Sequence, residues 1–72
     1  MEIISVSSSV VAKIAYDNGN LFVKFIENGW YVYRNVPATL FAEFSNAASK
    51  GTFLNRRIKP NFRGTQCPNP EL

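Results

Sequence analysis

From Val10 to Asn35 most positions are apolar, with Lys13, Lys24 and Arg34 among the polar ones that interrupt them, and the stretch is broken twice by the dipeptide Asn-Gly, at Asn18-Gly19 and Asn28-Gly29. Runs rich in β-branched and aromatic residues flank both dipeptides, and each fits a two-residue type I′ turn because Asn and Gly tolerate the positive φ needed at both central positions. The pattern predicts three strands: about Val10 to Asp17, Asn20 to Glu27, and Trp30 to Asn35. A short segment at Ile3 to Val6 is a candidate fourth, N-terminal edge strand whose partner the sequence leaves open.

Turn type sets register. The first turn places Tyr16 opposite Leu21, Ile14 opposite Val23 and Ala12 opposite Phe25. The second places Phe25 opposite Val32 and Val23 opposite Arg34. These residues share one face, nearly all apolar, which is the expected core. The other face then carries Val11, Lys13, Ala15, Phe22, Lys24, Ile26, Tyr31 and Tyr33, with Lys13 across from Lys24 and Lys24 across from Tyr33.

After Val36-Pro37 the period lengthens to that of a helix. Proline lacks a ladder donor and suits a first helical position. Leu40, Phe41, Phe44, Ala47 and Ala48 form one apolar stripe, with Glu43, Ser45 and Asn46 outside it. Gly51 is expected to interrupt this helix, and Ser49 to cap a second short one that sets Phe53, Leu54 and Ile58 against the core before Pro60 ends it. The fold class expected is α+β: a three-stranded antiparallel meander, with the candidate fourth strand, packed against one or two C-terminal helices. Residues 1–60 form a single binding domain, and the polar, proline-containing stretch 61–72 reads as a flexible tail.

With 72 residues there is room for one small core and no second domain. No apolar run approaches the ~18 residues that cross a bilayer, and the first residues lack the basic stretch and cleavage site of a secretory signal. A cytoplasmic location is expected, the host cytoplasm if a phage encodes the chain. Cys67 is the single cysteine and there is no histidine, so neither an internal disulfide nor a Cys/His zinc set can be assembled. Catalysis is not expected either. The five carboxylates are not placed by pattern to converge, Ser7-Ser8-Ser9 have no histidine as base, and the four glycines are isolated. Neither a cofactor nor a metal is implied. The net charge is +3, but Lys50, Arg56, Arg57, Lys59 and Arg63 concentrate within a stretch free of Asp and Glu, which is either a solvated face or an anion-binding one.

The ordered set Val6, Ser8-Ser9, Val11, Ile14, Tyr16-Asp17, then Leu21, Val23, Phe25 and Gly29, then Tyr31-Val32-Tyr33 and Val36-Pro37, and finally Ala47-Ala48-Ser49-Lys50-Gly51 with Phe53 resembles the KTSC domain. That family is named for its occurrence at the C-terminus of some lysyl-tRNA synthetases. The resemblance runs from Val6 to about Ile58 and implies a small fold without an established activity; the synthetase connection prompts an RNA-binding role. The chain is also similar in size and single-domain format to small regulators from Xanthomonas phages that bind host RNA polymerase.

Two functions follow as expectations. In the first, the domain is a monomeric, non-enzymatic transcription regulator that binds bacterial RNA polymerase through the aromatic sheet face, because uncovered apolar patches mark interfaces. In the second, RNA or another single-stranded nucleic acid stacks on the same rings while lysines follow its phosphates. Both use Lys13, Phe22, Lys24, Tyr31 and Tyr33 on the sheet, with Arg56, Arg57 and Lys59 beside it. Either reading requires that no helix or N-terminal segment cover that face. Neither involves a membrane or a small-molecule substrate.

Overall fold

The computed structural model describes residues 1–71; of the stretch read as a tail, Leu72 lies outside the described residues. The chain forms an α+β fold with a five-stranded antiparallel sheet: β1 (Ile3–Ser5), β2 (Val11–Asp17), β3 (Asn20–Phe25), β4 (Trp30–Tyr33) and β5 (Gly64–Cys67), side by side in that order. Between β4 and β5 lie α1 (Ala38–Asn46), α2 (Lys50–Phe53) and a π-helical segment, Leu54–Ile58. The sheet is therefore larger than the three or four strands expected. The N-terminal segment pairs with β2, as Ile4 with Ile14. β5 lies inside the stretch 61–72 expected to be a tail, and docks on the far edge of β4, with Val32 opposite Thr65 and Tyr33 opposite Gly64.

The first hairpin follows the expected register. Asn18 and Gly19 both take positive φ, 54° and 82°, and Ile14 meets Val23 while Tyr16 meets Leu21. Further along, a bulge between Val11 and Lys13 sets Val11, rather than Ala12, opposite Phe25. Val11 thereby joins the core and is fully buried. A bulge adds one residue to one strand and re-aims the side chains beyond it.

The second hairpin departs from expectation. Neither Asn28 nor Gly29 adopts positive φ, so no type I′ turn forms; a four-residue connection, Ile26–Gly29, joins β3 to β4. Its pairs are Leu21 with Tyr33, Phe22 with Val32, Val23 with Tyr31 and Lys24 with Trp30. β4 is thus displaced by three positions, and an odd displacement moves each of its side chains to the opposite face. Burial accounts for the choice. The expected alignment would have set Arg34 beside Val23 in the core, whereas the observed one sets Tyr31 and Tyr33 there and leaves Arg34 exposed.

The helices cover the face bearing Ile14, Leu21, Val23, Phe25 and Tyr33, which packs with Val11, Val36, Phe44, Leu54 and Ile58 in one cluster. Pro37 precedes α1 as expected, and Val36 N–H donates to Gly19 O at 2.9 Å, tying the entry of the helix to the first turn. Tyr16 stacks on Phe41 with ring centroids 4.8 Å apart, and its hydroxyl donates to the carbonyl of Val36. Ser49 caps α2 by accepting from Thr52 N–H at 3.3 Å. The break between the two helices falls at Ala47 to Ser49, ahead of Gly51, which lies inside α2. Among the described residues, no helix is long and apolar enough to cross a membrane.

Candidate functional site: an aromatic and basic groove

The eight residues expected to make one contact surface are divided between three places. Lys13, Phe22 and Lys24 lie on the sheet face away from the helices. Both lysines are engaged there: Lys13 Nζ stands 3.1 Å from Glu71 Oε1, and Lys24 Nζ donates to the carbonyls of Phe25 at 2.8 Å and Asn28 at 2.9 Å. An ammonium shared between two carbonyls of the β3–β4 connection holds that loop in shape, which is a structural role. Tyr31 and Tyr33 are on the helix-covered face, where Tyr33 is buried and Tyr31 half-buried. Burial, and then the neighbouring Tyr31, push the Tyr33 hydroxyl above its ordinary pKa. Arg57 pairs with Glu43 at 3.3 Å and sits over the Phe53 ring, while Arg56 is exposed. The continuous sheet-face platform of aromatics and lysines is therefore absent.

A different juxtaposition replaces it. Where the π-helical segment ends, the chain turns back toward β5, with Phe62 N–H donating to Ile58 O at 2.9 Å. This turn and the end of the sheet enclose an open groove of about 590 Å³ lined by Phe25, Tyr31, Tyr33 and Phe62, the cations Lys59 and Arg63, and Val10, Asn28 and Gly64. No carboxylate lines it among the described residues. Lys59 Nζ lies 5.6 Å from the centre of the Phe25 ring, which meets Tyr31 edge to face at 5.5 Å. Val10, which lines the groove, is 46% exposed; beside it and outside the lining, Ile26 is 48% exposed and its N–H donates to Val10 O at 2.9 Å.

The sequence therefore supplied Tyr31, Tyr33 and Lys59 but not Val10, Asn28, Phe62, Arg63 or Gly64 as a group. Phe62 and Arg63 had a signal, an aromatic next to a cation at the end of the basic run. It was masked by reading everything past Pro60 as a tail. A second concavity, lined by Ser7, Ser8, Ser9, Lys50, Thr52 and Asn55 among others, brings hydroxyls beside Lys50, whose ammonium donates to Ala47 O at 2.6 Å. No group of three His, Cys, Asp or Glu side chains among the described residues is placed to hold a metal ion.

Comparison with known proteins decides the family. Residues 7–62 match the model of the KTSC domain, which is more than half of the chain. The chain belongs to the KTSC domain family. This KTSC domain is similar to a protein from Tsukamurella paurometabola, 35% identical over 60 residues that cover 81% of this chain and 90% of the relative. In three dimensions it resembles the crystal structure of a KTSC domain protein from Yersinia pestis, with a TM-score of 0.88 and 36% identity over 93% of this chain and 97% of that one. The matched span of the KTSC model contains β2 to β4, the helices and Phe62, while β1 and β5 lie outside it.

Proposed function

We propose that this KTSC domain is a non-enzymatic binding module whose contact surface is the groove at the end of the sheet, and that its ligand is a protein segment. The observation that carries the reading is a groove that joins exposed Val10 to aromatic edges and to the cations Lys59 and Arg63, with no carboxylate in its lining among the described residues. Interfaces combine an apolar anchor with a polar rim in this manner. A segment with one large apolar side chain flanked by carboxylates would match it. The finer assignment, a phage-type transcription regulator acting on bacterial RNA polymerase in the host cytoplasm, rests on the likeness in size and single-domain format alone.

The cations Lys59 and Arg63 favour a second reading, RNA or single-stranded nucleic acid. Against it, Phe25 and Tyr33 are too buried to offer ring faces to bases, and stacking on open rings is what sustains such binding. Purified bacterial RNA polymerase, immobilised, tests the first reading. Binding is expected to resist nuclease and to weaken at least tenfold in Tyr31→Ala and in Val10→Asp. Retention of full affinity by both variants would remove the groove from the mechanism, and recovery of RNA that nuclease abolishes would decide for the second reading.

A further inference from the structure

The sheet face opposite the helices contains a buried patch that the helices do not cover. Ala15, Val32 and Trp30 are all buried there, Trp30 to 4% exposure, although Phe44, Leu54 and Ile58 pack on the other side. One cross-strand row on this face reads Ser5, Lys13, Lys24, Trp30, Cys67 from β1 to β5. The chain leaves the sheet at Cys67, at one end of the row. Four residues later Glu71 Oε1 is 3.1 Å from Lys13 Nζ, near the other end. From β5 to β2 is roughly 14 Å at about 4.8 Å per strand, a span that four residues cover together with the reach of the Lys13 and Glu71 side chains. A return of Pro68-Asn69-Pro70-Glu71 along the row, over Trp30, joins these two anchors and accounts for the burial of Trp30. Asn69 Oδ1 accepts from Glu71 N–H at 2.8 Å, a local turn that aims the carboxylate.

We propose that residues 68–71 are a displaceable strap, a ligand carried in cis, and that the Trp30 face accepts from a partner a segment of the same chemistry: short, proline-containing and bearing a carboxylate for Lys13. Three features support exchange. The Lys13 and Glu71 side chains are 38% and 37% exposed, and ion pairs so exposed hold weakly. Two prolines restrict the free segment, so little order is lost when it docks. Trp30 supplies the flat apolar floor on which proline rings pack in known recognition grooves. Lys24 does not compete for the carboxylate, because its ammonium is turned to the loop carbonyls.

Trp30 is the only tryptophan, so its quenching by acrylamide reports the strap directly in the full chain. The probe is the peptide acetyl-Ser-Pro-Asn-Pro-Glu-amide. In the unaltered protein Trp30 is expected to be shielded. In Glu71→Lys the quenching constant should rise at least twofold with the far-ultraviolet circular dichroism unchanged, and the peptide should restore shielding. The same peptide with Gln for Glu should be several-fold weaker. The exchanged pair Lys13→Glu with Glu71→Lys should recover shielding without peptide. Quenching unchanged both in Glu71→Lys and in a Pro68→Gly, Pro70→Gly variant would show that the strap does not cover Trp30. A released strap whose place the peptide does not take would show that the face is not a site.

Discussion

Gly64 shows how one missing side chain decides a contact. A Cβ built there would lie 2.6 Å from Cε2 of Tyr33, so β5 reaches its partner only because that position is bare. Gly64→Val is expected to cost about 1–3 kcal/mol through overpacking, measured by urea titration, with loss of amide protection along Gly64 to Cys67. Tyr33 makes a second prediction. Its hydroxyl titrates above the ordinary tyrosine value because burial disfavours the anion. The folded state holds the proton more tightly than the unfolded one, so the stabilisation is complete below pH ~10 and is lost as pH rises through the folded value. Thermal melts should fall as pH rises above ~10, and fall less in Tyr33→Phe. In the core, Phe44→Ala should cost roughly 3–5 kcal/mol; a melt unchanged by it would contradict the packing of α1.

Two connections with the same dipeptide behave differently. At Asn18-Gly19 the left-handed backbone is real, so Asn18→Ala should cost about 1 kcal/mol. At Asn28 the backbone is not left-handed, and Asn28→Ala should change stability by less than about half that amount, since a chemical denaturation midpoint there has no strained residue to report. The contrast also explains what was legible in the sequence. The first hairpin, the start of α1 after Pro37 and the Ser49 cap all rest on local chemistry that neighbouring residues declare. The β4 register rests instead on which residues the helices can bury, Tyr33 or Arg34, and no dipeptide announces that. β5 was hidden for a related reason: Gly-Thr-Gln-Cys has little apolar alternation, and it is a strand because β4 offers an open edge. Once β4 was misaligned, Tyr31 and Tyr33 were assigned to the wrong face, and the proposed site was lost with them.

For the whole molecule, charge distribution separates the binding readings. Of the basic run, Arg57 is paired with Glu43, whereas Lys59 and Arg63 line the groove. Charge reversal at Lys59 and Arg63 should therefore weaken partner binding by more than reversal at Arg56, and circular dichroism should show all three variants folded. Affinity for a protein segment should decline modestly between 50 and 200 mM salt, while a nucleic-acid complex would lose far more because counterions return to the phosphates. Calorimetric or interferometric titration across that range distinguishes them.

The pairing of β5 with β4 spans the helices, so Trp30 to Tyr33 acquire their outer neighbour only after the helices and residues 64–67 have been synthesised. Until residues 64–67 leave the ribosome, that strand presents free amides and carbonyls, the kind of edge on which nascent chains associate. Completion of this sheet thus depends on residues 64–67 arriving before another chain does.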